Sequence, residues 1–307
     1  MPIISVMNYK GGVGKTTLTA NLGAEIANTG RRVLLLDLDP QANLTFSFYT
    51  VEEWQDELRE TRTIKRWYDG EQPGRDVALA DLVVTPPRVN AVLGNGGQLD
   101  LIPSHLGLIN IDLELAAQLG GTTLAGSKRK FLQVHGCLAE ALGAPKFADY
   151  DLVLIDCAPN FGLVTKTAIV ASDYVLIPAR ADYLSTLGIG YMVGSCDHLR
   201  DEYNAYLGHD SGTHSMPATI DPQILGVVFT MIQTYAGQPI AIQHNAIEQV
   251  RANADAPVLN GMIRNSPRIF GEAGATGVPS ILRVPKDDEV AMEFRVLVDE
   301  FMGVLGR

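Results

Sequence analysis

The sequence predicts a doubly wound α/β fold, a mainly parallel sheet with helices on both faces. Three observations lead there. Short apolar runs alternate along the chain with stretches of helical periodicity, the pattern of parallel strands joined by helices. The first apolar run, 3–7, passes through a glycine-rich turn into a helical pattern at 18–27. Of the 307 residues, 46% are apolar, enough to cover both faces of a sheet. No Pro/Gly/Ser-rich linker divides the chain and no internal repeat is visible. One domain over 1–307 is therefore expected, with an insertion at about 46–97.

Strands are expected near 3–8, 32–37, 98–103, 151–156, 173–178, 224–230 and 258–263. The first helix should run from 16 to about 28, with Gly30 suited to stop it. Residues 51–69 are rich in charge and predict a helix with Trp54, Leu58, Ile64 and Trp67 as its apolar stripe. Residues 72–97 hold glycines and prolines around one short apolar run and predict mostly loop. Helices follow at 109–118 and 129–142, with Gly120-Gly121 between them, and at about 185–206, 239–253 and 286–305. The polar stretch 203–217 predicts an exposed loop.

Residues 8–17 read Asn-Tyr-Lys-Gly-Gly-Val-Gly-Lys-Thr-Thr. A glycine-rich turn between strand and helix leaves backbone N–H groups free to point at an anion. Lys15 adds a point charge for β- and γ-phosphates, and Thr16 a hydroxyl for Mg²⁺. Gly11, Gly12, Val13, Gly14, Lys15, Thr16 and Thr17 are thus candidate nucleotide-binding residues. The general phosphate-loop pattern asks for Gly at position 9, where Tyr9 stands; a second lysine, Lys10, precedes the glycines instead. Asp156 ends the apolar run 152–155, where a carboxylate is placed to hold Mg²⁺ through water. Asp37 and Asp39 lie two apart, so in an extended strand both side chains face one way. One is then free to bond the phosphate loop while the other reaches Mg²⁺-bound or attacking water. Ligands of open α/β sheets sit beyond the C-terminal ends of the strands, where the loop and these acids fall.

The spelling with two lysines resembles the deviant Walker A motif of the ParA/MinD family of ATPases. Asp37-Leu38-Asp39-Pro40-Gln41-Ala42-Asn43 resembles that family's switch I, and the stretch 150–159 its Walker B strand and switch II. Residues 173–178 and 226–231 resemble later strands, and Glu272-Ala273, Gly277 and Pro279 its C-terminal motif. The matches are in family order from 3 to about 281; residues 46–97 and 207–222 match none of it. The resemblance is to ParA/Soj-type partition ATPases, and since the chain starts at its phosphate-loop strand, no separate operator-reading domain is expected. It implies a P-loop fold and Mg²⁺-dependent hydrolysis of ATP to ADP and phosphate. It makes Lys10 the lysine that crosses a homodimer interface to the partner's ATP, beside Lys15 in cis. It makes Asp39 the carboxylate that positions or activates water. Thr230 and Met231 then lie on the adenine side. Residues 263–266 align with the family's purine-contacting loop, with Arg264 and Ser266 where Pro and Asn are usual. The implied partners are a second copy of the chain, a ParB-like or cargo-adaptor protein that stimulates hydrolysis, and non-specific DNA.

Composition narrows the alternatives. A net charge of −11 argues against an overall basic nucleic-acid binder but leaves room for a local basic face. The candidates are Lys128-Arg129-Lys130, Arg62 with Lys65 and Arg66, and the group Arg264, Arg268, Arg283 and Lys286. No apolar run reaches the length of about 18 residues that a membrane-spanning helix needs, and no signal peptide precedes Ile3. A MinD-like membrane switch would call for a basic amphipathic tail, whereas Glu289, Glu293, Asp299 and Glu300 outnumber Arg295 and Arg307 in 289–307. A final helix packed on the sheet is expected there instead. Cys137, Cys157 and Cys196 are too widely spaced for a disulfide framework or a CxxC site, so a reducing cytoplasm is expected, with nucleoid association where DNA is bound. A metabolic or redox relative, such as an amidoligase or the nitrogenase iron protein, is the remaining alternative. His135, His198, His209, His214 and His244 show no ligand spacing.

Overall fold

The computed structural model describes residues 1–69, 73–121, 123–207, 218–253, 256–271 and 276–306. Its centre is a six-stranded sheet of β1 (Ile3–Val6), β2 (Arg32–Leu38), β3 (Gln98–Ile102), β4 (Leu152–Cys157), β5 (Tyr174–Arg180) and β6 (Gln223–Thr230). All neighbours run parallel, in the order β3-β2-β4-β1-β5-β6. Strand order reverses between β1 and β4, and this switch point opens the crevice where the glycine-rich loop sits. A two-residue hairpin, β7 (Thr234–Tyr235) and β8 (Gln238–Pro239), stands apart.

Seven helices of eight or more residues occur among the described residues: α1 (Lys15–Asn28), α2 (Ile111–Gln118), α3 (Leu124–Leu142), α4 (Leu163–Ala171), α5 (Tyr183–Leu207), α6 (Ala241–Asn253) and α7 (Glu289–Val304). Side chains alternate across each strand, so each strand feeds two cores. Val33, Leu35, Leu152 and Leu154 pack beneath α1 and α7 with Leu22, Ile26, Phe294 and Phe301. Leu34, Leu36, Val153 and Ile155 pack on the other face with Leu138, Ile169, Met192 and Leu199. Parallel strands buried on both sides read as continuous apolar runs, as these do.

Residues 51–69 depart from their expectation. Residues 51–69 form three short turns rather than one helix: Val51–Glu53, a π-helical turn Trp54–Leu58, and Ile64–Tyr68. Trp54 and Leu58 join the α1 face, whereas Ile64 and Trp67 join the opposite one. The apolar stripe is therefore split around the edge of the sheet. Val84 pairs with Leu101 as an antiparallel bridge, so the segment around Val84 covers part of the exposed edge of β3. Within 72–97, Leu79–Leu82 and Pro87–Asn90 form single turns and the rest of the described chain is loop. The third helical segment begins at Leu124, with Thr123 capping it, so the basic cluster at 128–130 lies within α3.

The segment 258–263 is not a seventh strand. It touches β6 and its extension at isolated parallel bridges, Val227 with Val258 and Ile232 with Arg264. Between them the backbone N–H groups of Asn260 and Gly261 are taken by the Glu300 carboxylate of α7, each at 2.8 Å. Leu259 and Ile263 still donate to Val227 and Phe229 of β6, so the Glu300 carboxylate interrupts the run of backbone bonds at Gly261. The loop expected at 203–217 falls partly outside the described residues, which resume at 218; α5 runs to Leu207. His209 and His214 also lie outside them, as do Glu272 and Ala273 of the C-terminal motif.

Gly97 precedes β3 beneath the end of α1. A Cβ there would sit 1.7 Å from the Ala27 carbonyl oxygen, a clash with backbone that no side-chain rotation relieves. Gly97→Ala is expected to destabilise the protein by about 1–3 kcal/mol or more, as overpacking does. A urea melt reads this directly; an unchanged midpoint would show that the turn relaxes freely.

Candidate nucleotide-binding site

The register of the sheet builds the site. Val6 and Asp37 are both Cα partners of Asp156, so the ends of β1, β4 and β2 form one row. From the end of β1 the chain turns through Gly12 and Gly14, at φ of 69° and 78°, into α1. Only glycine takes such angles without strain. Gly14 caps α1 without any side-chain bond, so the first backbone N–H groups of the helix face the crevice. Gly11 and Gly12 have open space around their Cα atoms. Val13 is fully buried, and its carbonyl accepts the Thr230 hydroxyl at 2.7 Å, tying the loop to the end of β6.

Lys15 is nearly buried, its ammonium 3.4 Å from the Lys10 carbonyl. Burial lowers its pKa, opposed by the nearby Asp156 and Asp39 carboxylates. Thr16 donates its hydroxyl to Asp156 Oδ2 at 2.7 Å. The other oxygen, Asp156 Oδ1, is buried without a partner among the described residues. Burial, and then the charge of Asp37, pushes the Asp156 pKa well up. An orphaned buried carboxylate oxygen costs free energy unless something fills its coordination. Together with the Thr16 hydroxyl it fits a hydrated divalent cation. No group of three or more His, Cys, Asp or Glu side chains is arranged as a metal cage among the described residues. An ion here must draw most of its ligands from water and a bound polyphosphate, as Mg²⁺ does.

Asp37 and Asp39 part company. Both Asp37 oxygens are spent inside the protein: Oδ2 accepts the Thr45 N–H at 2.8 Å and its hydroxyl at 2.7 Å, and Oδ1 the Asp39 N–H at 3.2 Å. Burial pushes its pKa up to about 7 against those bonds. Asp37 therefore pins the loop after β2 instead of bonding the phosphate loop. Asp39 accepts the Gln41 N–H at 2.9 Å and stays at the crevice. Ser104, just past β3, secures the same loop by donating to the Asp39 carbonyl at 2.7 Å and to Thr45 Oγ1 from its backbone at 2.9 Å. Sequence reasoning missed Thr45 and Ser104. The position of Ser104 beyond a strand's C-terminal end was the signal available.

Lys10 points away from the cradle. Its ammonium bonds both oxygens of Asp182 at 2.9 Å and Ser185 Oγ at 3.0 Å, at the start of α5. Asn8 braces this arrangement, accepting the Lys10 N–H and donating to the Pro178 carbonyl. On the other side, Gly14, Thr17, Thr230, Met231, Ile263 and Ser266 line a cavity of about 90 Å³ floored by Phe270 and Phe294. Arg264 lines it too, but its guanidinium is turned onto Glu289 and Glu293 of α7.

A phosphate loop, a buried strand-end aspartate bonded to its threonine, and an apolar cavity beside the loop define a P-loop nucleotide-binding protein. A family model described as an AAA domain matches residues 1–208. The sporulation initiation inhibitor protein Soj of Bacillus subtilis is 31% identical over 284 residues, which cover 92% of each chain. The chain belongs to this family, and within it to the ParA/MinD ATPases. The structure of a Cyanothece McdA variant in complex with ATP superposes with a TM-score of 0.71 at 21% identity, covering 100% of this chain and 96% of that one. Cobyrinic acid a,c-diamide synthase from Mycobacterium smegmatis, with an ATP analogue and magnesium, gives 0.71 at 24% identity, covering 100% and 97%. At that identity the two structures share the fold.

Thr45→Val keeps the shape but removes the hydroxyl that Asp37 accepts. Leaving a buried carboxylate short of a donor should cost about 1–3 kcal/mol. Denaturant unfolding is the measurement; a loss below about 0.5 kcal/mol would mean that the backbone N–H alone satisfies Asp37.

Proposed function

We propose that this chain is an ATP-hydrolysing switch of the ParA type, in which ATP binding drives homodimerisation and hydrolysis releases it. The single observation that supports this best is the meeting of Lys15, Thr16 and Asp156 at the N-terminus of α1. In this reading the α1 amides and Lys15 bind the β- and γ-phosphates, and Thr16 and Asp156 hold Mg²⁺, the Asp156 contact through water. When bound, the metal supplies charge neutralisation at the transferring phosphoryl group. Asp39 orients the attacking water and takes up its proton, held in place by Gln41 and Ser104. The base lies in the cavity between Met231 and Ser266.

Dimerisation rests on Lys10 and its surroundings. Tyr183, Leu184, Leu187 and Tyr191 project from the first turns of α5 at 49–75% exposure, next to the Lys10 ion pair. Contiguous exposed apolar side chains favour a partner surface. A second copy seated there would bring its own Lys10 to this chain's phosphates, once Lys10 has left Asp182. A charge delivered in trans stabilises the transferring phosphoryl group and makes ATP part of the interface.

The reading extends to a cargo carried on non-specific DNA in the cytoplasm, with a ParB-like or adaptor protein as stimulator. Against the basic-patch route, Arg264, Arg268, Lys65, Lys146 and Arg251 each face a carboxylate. No described helix is long and apolar enough to cross a membrane. The acidic side chains Glu289, Glu293 and Glu300 of α7 bond the segment 260–264, which favours a packed final helix over a membrane tail.

Two measurements check this. Duplex DNA binding should require ATP, fall steeply as salt rises, and vanish in Lys15→Ala. Binding indifferent to nucleotide would remove DNA from the cycle. The trans role of Lys10 is read from mixed dimers. Lys10→Ala and Asp39→Ala should each be inactive alone, the first with a weaker dimer by about 1.5–3 kcal/mol per site for a lost charge-assisted bond. In the heterodimer, the site on the Lys10→Ala chain keeps its own Asp39 and receives Lys10 from the other chain. Each heterodimer should therefore regain one of its two sites, about a quarter of the wild-type sites in a random equimolar mixture. Absence of rescue in proven heterodimers would place Lys10 in cis.

A further inference from the structure

The cavity beside the phosphate loop carries an arginine that does not face it. Arg264 stands in its wall, yet the guanidinium is drawn outward. Its Nε donates to Glu293 Oε1 at 2.6 Å, and its terminal nitrogen bonds Glu289. The other oxygen of the same carboxylate, Glu293 Oε2, accepts the Arg264 backbone N–H at 3.0 Å. One side chain of α7 thus grips both ends of Arg264, fixing the loop backbone and the direction of the side chain. The clamp is continued along the helix. Arg268 bonds Asp288 at 2.9 Å, and Glu300 takes the N–H groups of Asn260 and Gly261. With Arg264 held back, the polar groups left on this wall are those of Asn265 and Ser266. The Asn265 backbone N–H is committed to the Ile232 carbonyl, and its side-chain amide has no protein partner among the described residues.

Two purines differ in what they ask of such a wall. Adenine presents an amino donor beside ring-nitrogen acceptors, which an amide matches with one donor and one acceptor. Guanine presents two acceptors, O6 and N7, which an arginine guanidinium matches with a pair of donors. A free guanidinium at this wall would reward guanine and meet the adenine amino group donor to donor.

We infer that Glu293 is a base-specificity residue of the nucleotide site: by holding the Arg264 guanidinium out of the cavity, it keeps the site selective for adenine over guanine. It acts through Arg264 and is a positioning residue, and the inference rests on the cavity being the nucleobase site of the proposed ATPase. It explains why an acidic side chain on the last helix is spent on the loop 263–266, where solvent would otherwise satisfy both ions. Ion pairs near the surface add little stability, so the geometry is better accounted for by the direction it gives to Arg264.

Equilibrium titrations with Mg²⁺-ATP and Mg²⁺-GTP test this on the full chain. The variants are Glu293→Ala with Glu289→Ala, since Glu289 also bonds Arg264, the milder Glu293→Gln with Glu289→Gln should the first fold poorly, and each combined with Arg264→Ala. Releasing Arg264 should raise the affinity for GTP relative to ATP by about tenfold or more, the low end of what an arginine–guanine pair discriminates. Removing Arg264 in the same variant should return the ratio to the wild-type value. A purely structural role predicts that both affinities fall together with the ratio unmoved, which overturns the inference. A ratio that shifts but does not depend on Arg264 overturns it as well. The two readings fail differently. If the wild-type chain binds neither nucleotide, the ATPase assignment falls and takes this with it. If it prefers ATP and the ratio stays constant, the specificity role of Glu293 alone falls.

Discussion

The buried carboxylate of Asp156 is the constraint around which the rest is arranged. It is fully buried at the end of β4, with one oxygen on Thr16 and the other without a partner among the described residues. Such a group is tolerated in a protein interior only where a ligand answers it. Its position follows from the parallel register, which sets Val6, Asp156 and Asp37 side by side. Shifting that register would move the phosphate loop off its partner acid and turn the aspartates toward the wrong face of the sheet. The apolar layers beneath α1 and beneath α3 to α5 are what hold the register, so core packing and site geometry are one problem.

Around this row each loop is fixed by side chains that reach from the next element. Thr230 at the end of β6 holds Val13, Ser104 beyond β3 holds the Asp39 loop, and Asn8 and Asp182 hold Lys10. Trp54 donates to the Ser104 carbonyl at 3.1 Å and packs on His105 at 5.5 Å. The segment between β2 and β3 thus supports the loop that carries Asp39, while its two tryptophans sit on opposite sides of the β3 edge. On the other edge, α7 uses its acidic side chains to hold the segment that walls the cavity beside the phosphate loop. Charge that looks solvent-facing along the helix is spent on backbone N–H groups and on Arg264.

Much of this was legible in the chain. The glycines, Lys15, Thr16 and Asp156 stand out because their function needs particular residue types at the junction of strand and helix, and junctions are local. The six sheet strands stand out because parallel strands buried on both faces leave unbroken apolar runs. The order of motifs identified the family. Local periodicity also misled: Trp54, Leu58, Ile64 and Trp67 have the spacing of one helical face, and 258–263 has the composition of a strand.

What tertiary structure alone decided is where shared polar groups go. Asp37 and Asp39 look equivalent two residues apart, but only the fold brings Thr45 onto one and leaves the other at the crevice. Glu300 interrupts the pairing of 257–263 with β6 by taking the Gly261 donor, 39 residues away. Arg264 sits in the wall of the cavity beside the phosphate loop, and its direction is set by Glu289 and Glu293, 25 and 29 residues further on. Sequence determines what a short segment is able to bond. Which donor meets which acceptor depends on distant elements sharing a face, and that is a property of the packed molecule.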